Sequence, residues 1–450
     1  MKGKMIAMAV AACSGIALAV PVVDPQSVSM TQDPNSHRVT ISYVLSGEPG
    51  VVTLDIQTNC TVGAETTWAS IGFTNFLHVT GDVFMVVPNG SEPHTITWRP
   101  GKDWPDRQIG AGGIRAVVTA WSTNAPPDYM EINLVTGRRR YYEDISQLPY
   151  SLEGDFYRTE AMLLKRIHAA GKTFMMGSPS SELGRGESYY ETPHMVSLTQ
   201  DYYLGVFEVT QGQCKNIMGK HLSVLTTGDC ADTRPVDRAQ YVDWGGNIGF
   251  GLLTYNAWPN DDPEEARKSP ANAFFGRMRT LTGLGCYLGL PTHAQWEFAA
   301  RAGERSSLPY GLNLTVANGA SCTNLNRFAR YRYNGGYADG GATEPAMTCS
   351  TNQATARVGS YEPNTFGLYD MLGNVSEWCY DWLGTANSGY VVDPVGPATG
   401  SGNYRVLCGG NWRSEPSACR ASGIIYLNCS SEDTNYINAR AGFRVCYVLP

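Results

Sequence analysis

The chain reads as a mixed α+β, loop-rich protein in which an N-terminal all-β sandwich precedes a larger domain with little regular secondary structure. Three observations predict this. Between Asp24 and Thr136, apolar and polar residues alternate over short spans: Arg38 to Leu45, Val51 to Ile56, His94 to Trp98, Ile114 to Trp121 and Tyr129 to Leu134. Turn clusters such as Gly47-Glu48-Pro49-Gly50 and Pro88-Asn89-Gly90 separate them, and period two with regular turns is the pattern of an Ig-like β-sandwich. Charged residues are only 17% of the 450, against about 25% in an average soluble domain, while Gly (49), Tyr (25) and Trp (10) are plentiful. Finally, the clearest helix, Leu290 to Arg301, is short, and Ala302 to Pro363 is almost all glycine, asparagine and loop-like.

Length and charge set the outer bounds. A chain of 450 residues has room for two or three domains. Net charge is −7 and the longest basic run is Arg138-Arg139-Arg140, so the electrostatic footprint of a nucleic-acid binder is missing. Lys2 and Lys4 precede an apolar run from Met5 to Val20 that contains Ala17-Leu18-Ala19. This predicts an export signal over residues 1–19, cut after Ala19, and a periplasmic or secreted protein. Val10-Ala11-Ala12-Cys13 resembles a lipobox, so a lipid anchor at Cys13 is the alternative. No later stretch approaches the ~18 apolar residues of a membrane helix. Twelve cysteines, less Cys13 in the leader, leave eleven, which in an oxidising compartment predicts several disulfides and at least one unpaired thiol. No C-x-x-C occurs, which disfavours structural zinc and thioredoxin-type chemistry.

The elements follow in order. The β-sandwich, residues 24–136, holds one cysteine, Cys60, and no cluster of catalytic types; it is an accessory domain. Residues 137–161, charged and Tyr-rich, read as a linker. Strands are expected ending at Phe174 to Ser178, and over Pro193 to Leu198 and Tyr202 to Val209; a helix should begin at Thr210, and another opens at Ser269-Pro270 and closes at Gly283 and Gly285. Thr292 caps the Leu290–Arg301 helix with Gln295 as its capping-box partner, and Trp296, Ala299 and Ala300 form its apolar face. Cys322 and Cys349 bracket much of the long loop and are candidates to pair. Asn364 to Trp382, N-T-F-G-L-Y-D-M-L-G-N-V-S-E-W-C-Y-D-W, mixes glycine- and asparagine-marked bends with Asp370, Glu377 and Asp381. A bent backbone that turns carbonyls and carboxylates inward suits a hard cation, since Ca²⁺ takes six to eight oxygens; a Trp-rich core loop with acidic turn residues is the plainer reading.

Seven blocks then occur in one order between Met162 and Pro450: Phe-Met-Met-Gly-Ser, Glu-Val-Thr, Leu-Pro-Thr-x-x-x-Trp-Glu-Phe-Ala-x-Arg, Asn-x-x-Gly-Leu-Tyr-Asp-Met-x-Gly-Asn-Val-x-Glu-Trp, Gly-Gly-Asn-Trp, Cys-Arg and Gly-Phe-Arg. Together they resemble the formylglycine-generating enzyme family, or sulfatase-modifying factors, over about two-thirds of the chain. The resemblance implies a modified C-type-lectin-like fold for residues 162–450. It also implies a structural calcium site formed by the Asp370 side chain, the Gly373 and Val375 carbonyls and the Glu377 side chain.

Active members oxidise a sulfatase cysteine with O₂ through two cysteines that bind Cu(I), because soft thiolates are the ligands copper(I) selects. The second of these falls on Cys419, but the first falls on Ser414. Two neighbours also depart from the family pattern, Asn411 and Ser376. The sequence therefore predicts an exported binding or scaffold module with a protein or glycan ligand, a sulfatase among the candidates. The alternative is a formylglycine-generating oxidase in which Cys419 works with Cys408; Cys408 is equally a candidate disulfide partner of Cys419. His293, Glu297 and Arg301 share a helix face that is expected to be solvated or salt-bridged. His194 is expected as a satisfied core histidine, and Arg444 as an anchor of the C-terminal strand through a carboxylate. H-E-x-x-H, P-loop and G-x-S-x-G motifs are absent from the sequence.

Overall fold

The computed structural model describes residues 20–449, apart from 63–64, 108, 111, 188, 221–222, 224–230, 238, 240–272, 335–353, 387, 398–403 and 429–439. The expected export signal, Cys13, Cys349 and the Ser269-Pro270 helix start lie outside the described residues. The chain divides into two units, residues 1–123 and 124–450.

In the first unit, the alternating spans form antiparallel strands in two four-stranded sheets. One runs Ser29–Gln32, Val39–Tyr43, His94–Trp98, Val79–Gly81; in the other Gly50–Val62 pairs with Ile114–Ser122, Glu65–Ser70 and Met85–Val87. Val39, Ile41 and Tyr43 are buried while Thr40 and Ser42 between them are not, which is the period-two burial the sequence predicted. A cross-strand pair directly opposite, Ile41 with Ile96, joins the same buried row.

The boundary falls earlier than the sequence suggested. Tyr129–Asn133, expected as the last sandwich strand, instead pairs with Ala161–Ile167 of the second unit, and the expected linker contains a strand, Arg139–Tyr142, that pairs with it as a hairpin. Gly137, at φ +68, makes that turn, and a Cβ there would meet the Leu281 carbonyl oxygen at 1.9 Å. Alternation specifies a strand but not its partner; the partner is set by Met130, Ile132, Tyr141 and Tyr142, all buried.

The second unit is built on a six-stranded sheet ordered Arg139–Tyr142, Tyr129–Asn133, Ala161–Ile167, Tyr202–Gly205, Cys446–Val448, Leu288–Gly289. A second sheet of four strands runs Ile424–Asn428, Tyr404–Cys408, Ser376–Trp382, Ala441–Gly442, and a third joins Lys172–Met176, His194–Leu198 and Val391–Val392. Between them lies the His293–Arg301 helix. Its capping box closes in both directions: Thr292 Oγ1 accepts from Gln295 N at 3.2 Å, and Gln295 Oε1 accepts from Thr292 N at 2.9 Å. Ala294, Trp296, Ala299 and Ala300 are buried against Met176, Leu204, Val406 and Cys446 in one core cluster. The Gln211–Met218 helix starts from an equivalent Thr210–Gln213 box, and Phe274–Thr282 ends on Gly283 in the left-handed region. Most of the other described residues of this unit are loop, as the glycine content predicted. Among the described residues no helix is long and apolar enough to cross a membrane.

Candidate functional site

The Asn364–Trp382 stretch coils because four of its residues hold positive φ: Gly367 (79°), Asp370 (53°), Gly373 (78°) and Asn374 (54°). A Cβ at Gly373 would meet the Arg330 carbonyl oxygen at 2.3 Å, so the close approach there requires glycine. Asn364 secures the start: its Oδ1 accepts from Phe366 N and Leu368 N, and its Nδ2 donates to the Ala299 carbonyl at 2.7 Å, satisfying a C-terminal carbonyl of the helix.

This coil aims Asp370 and Glu377 into a buried charge cluster with Glu208 and Arg444, all four at 2% exposure or less. Arg444 donates from Nε and Nη2 to Glu377 Oε1 and Oε2 at 2.7–3.2 Å, from Nη1 to the Gly205 and Val206 carbonyls, and from Nη2 to the Tyr369 carbonyl. The expected anchoring of the C-terminal strand through a carboxylate is thus made, and Glu377 is its partner. Trp296 Nε1 also donates to Glu377 Oε2 at 2.8 Å, so both oxygens of Glu377 are engaged. Glu208 accepts from Val375 N at 3.0 Å and Asn374 Nδ2 at 2.6 Å. Asp370 Oδ2 accepts from Gly359 N, whereas Oδ1 is buried with no partner among the described residues. Burial, reinforced by Asp370 and Glu377, pushes Glu208 well above the usual carboxylate range. Burial likewise raises Asp370, against the pull of Gly359 N, Arg444 and Arg158, to about 6. The cluster holds more carboxylate than cation.

The donors that the expected calcium set would draw on are unequally free. Asp370 has an open, buried oxygen, and three carboxylates share one guanidinium, which is a setting a hard cation relieves. Glu377, the other expected side-chain ligand, is filled by Arg444 and Trp296. Among the described residues no group of three or more His, Cys, Asp and Glu side chains stands ready to hold a metal; the expected set has two side chains and two carbonyls.

A second corner, Gly409 to Cys419, carries the expected catalytic positions. Trp412 N donates to the Asn374 carbonyl at 2.9 Å and Gly373 N to the Gly409 carbonyl at 2.7 Å, which ties this corner to the coil. Asn411 N donates to Ser414 Oγ at 3.0 Å and Ser414 N to the Asn411 carbonyl at 2.8 Å, a closed turn in which the Ser414 hydroxyl satisfies backbone. Asn411 Nδ2 donates to Ser376 Oγ at 3.0 Å, so the two residues that depart from the family pattern bond each other. Cys419 is fully buried beneath Gly410, where a Cβ would meet its Sγ at 2.6 Å. Burial pushes its thiol up to about 12, so it is protonated at neutral pH. It packs in a small core cluster with Cys322, Leu325, Phe328 and Tyr331. A hard hydroxyl and one buried thiol do not fit Cu(I).

Cys408 belongs to a different cluster from Cys419 and lies beside Cys379, sulfur to sulfur 3.6 Å. Cys408 stood open as a disulfide partner of Cys419 or a substitute copper ligand; neither sulfur is in a disulfide, and the Cys408 side chain shares a strand face with Glu377, its opposite residue, and Cys379 two positions on. The six cysteines whose side chains are described, Cys214, Cys322, Cys379, Cys408, Cys419 and Cys446, are free and buried.

The His293–Glu297–Arg301 face is buried and salt-bridged rather than solvated: Arg301 Nη2 lies 2.7 Å from Glu297 Oε1, which also accepts from Gly177 N. His194 is buried, with Nδ1 2.8 Å from the Thr192 carbonyl oxygen, as a core histidine. Sequence reasoning missed Glu208 and Cys379. Glu208 stood in the Glu-Val-Thr block, the one available signal; Cys379 had none.

A loop-built α+β module, in which two coiled corners and a C-terminal arginine enclose a buried acidic cluster, is the class these features define. The match of residues 157–448 to the FGE-sulfatase family, the sulfatase-modifying factor enzyme 1-like domain, establishes that the chain belongs to that family. It is 30% identical over 229 residues to Chaperone protein LppX of Paenibacillus barcinonensis, covering 49% of this chain and 73% of that protein. It is 34% identical over 161 residues to the formylglycine-generating enzyme of Thermomonospora curvata, covering 34% of this chain and 48% of that protein. The chain thus spans less than half the length of that enzyme. Among solved structures, Treponema denticola variable protein 1 is similar at 24% identity and a TM-score of 0.43, covering 64% of this chain and 96% of that one.

Proposed function

We propose that residues 124–450 form a calcium-stabilised binding module of the sulfatase-modifying factor family that does not generate formylglycine, carried on an exported chain with an accessory β-sandwich. The observation that carries this reading is the Ser414 turn: the hydroxyl at the position the family's chemistry needs as sulfur accepts from Asn411 N. A hydroxyl there neither binds Cu(I) nor exchanges disulfides with a substrate cysteine. Cys419 is left as a fully buried thiol, clustered with Cys322, whose proton is retained at neutral pH. The relative named as a chaperone, LppX, supports a binding role on this scaffold, with a polypeptide as the ligand class.

Calcium is part of the proposal. Asp370, with its unpartnered buried oxygen, is the side chain that would hold the ion, with the Gly373 and Val375 carbonyls and with Glu377 shared between the ion and Arg444. Its role would be to balance the buried carboxylates, and no chemistry is assigned to it. The module reading is tested by incubating the purified protein with Cu(I), O₂ and a peptide containing Cys-x-Pro-x-Arg and examining the peptide by mass spectrometry. The expected result is unmodified peptide.

A further inference from the structure

Cys379 and Cys408 sit on neighbouring antiparallel strands, Ser376–Trp382 and Tyr404–Cys408, where the register shifts between Trp378 and Trp382. Glu377 lies opposite Cys408, so Cys379 is its diagonal neighbour on the same face. The sulfurs lie 3.6 Å apart, with the Cys379 thiol donating to the Cys408 sulfur. A disulfide needs a further approach of roughly 1.5 Å, to about 2.05 Å.

Both thiols are buried, Cys379 at 0% and Cys408 at 1% exposure, and His293 stands between Cys408 and a cleft that neither cysteine lines. His293, at the start of its helix, interacts with Cys408; its Nε2 is buried 3.7 Å from Glu297 Oε2, and neither atom has a hydrogen-bond partner among the described residues. His293, Glu297, Asp381 and Val406 line a cleft of about 70 Å³. A water needs about 10–15 Å³ by this kind of measure, so the cleft admits several water-sized molecules. Because the Cys379 thiol donates to it, the Cys408 sulfur is the one placed to attack, and Cys379 is the proton-bearing resolver.

We propose that Cys379 and Cys408 form a redox-active dithiol, a site of reversible oxidation by hydrogen peroxide that staples the two strands beside Glu377. In the first step the Cys408 sulfur attacks peroxide: an S–O bond forms, the O–O bond breaks, and the departing hydroxide takes the proton that the Cys408 thiol gives up and becomes water. In the second, the Cys379 sulfur attacks the Cys408 sulfenic acid: the S–S bond forms, the S–O bond breaks, and water leaves with the Cys379 proton. Two thiols and one peroxide give one disulfide and two waters, and a dithiol reductant reverses the result. This inference is independent of the binding-module reading, because neither residue occupies the family's copper positions.

The test uses the full-length protein, reduced with dithiothreitol, desalted, treated with stoichiometric hydrogen peroxide, then denatured and alkylated. Peptide mapping is expected to find Cys379 and Cys408 in one cross-linked peptide pair that dithiothreitol separates. Cys379→Ser should leave a Cys408 sulfenic acid that dimedone traps. Full alkylation of both cysteines in the peroxide-treated wild-type protein, or a bridge from either one to a different cysteine, would overturn the proposal. Because the wild-type map alone decides this, a variant that fails to fold leaves the test intact.

Discussion

Removing the cation of the buried cluster is the most demanding perturbation the structure offers. Arg444 is 0% exposed and Glu377 1%, and the guanidinium contacts both Glu377 oxygens and three backbone carbonyls. Arg444→Met keeps the approximate volume but leaves Glu377, Asp370 and Glu208 crowded without the guanidinium, and three carbonyls without their donor. Breaking one side of a buried pair costs about 3–5 kcal/mol, most of it the penalty on the orphaned partner. At about 2.1 cal/mol/K of unfolding entropy per residue, a unit of this size has roughly 0.7 kcal/mol/K, so the melting temperature should fall by roughly 4–7 °C. The double substitution Arg444→Met with Glu377→Gln removes the uncompensated charge and should recover a substantial part of that loss. Thermal unfolding followed by circular dichroism reads both. A single-substitution loss below about 0.5 kcal/mol, the size of a surface change, or a double variant no more stable than the single, would refute the reasoning.

Four further outcomes are expected. Calcium should raise the melting temperature of the chelator-treated protein, and Asp370→Asn should remove that response; a wild-type melt indifferent to calcium would count against the ion. Gly410→Ala places a Cβ 2.6 Å from Cys419 Sγ at φ +70 and should cost about 2 kcal/mol or more in urea denaturation. His293 is held up at about 9: burial opposes the charge, but Cys408, Glu297 and Asp381 together outweigh it. A folded pKa above the ordinary 6.5 contributes stability that is complete below that value and is lost as pH rises through about 9, so stability should decline over that window, and His293→Gln should flatten the decline. Cys419→Ala should leave ligand binding unchanged while opening a small cavity, costing on the order of 1 kcal/mol.

Local rules were legible in the sequence and long-range pairings were not. The Thr292–Gln295 box fixed a helix start to the residue because capping depends on atoms three positions apart. The positive-φ residues of the Asn364–Trp382 coil showed themselves as Gly, Asn and Asp, the types that tolerate that conformation. Arg444 was expected to meet a carboxylate, yet nothing in sequence distinguished Glu377 from Asp370 or brought in Glu208, more than 160 positions away. Strand Tyr129–Asn133 was seen as a strand and assigned to the wrong unit for the same reason: hydrophobic period reports which face is buried, not what buries it. Cys408 was noticed but its contact with Cys379 was not, because strand pairing joins the two across 29 positions and composition carries no register.

The central claim, that this family member binds without generating formylglycine, is tested most directly by mass spectrometry of a Cys-x-Pro-x-Arg peptide after incubation with the copper-loaded protein and O₂. The account predicts that the cysteine stays unmodified, and that Ser414→Cys alone does not raise activity while Cys419 stays buried. Aldehyde formation by the wild-type protein that disappears on Cys419→Ala would contradict it.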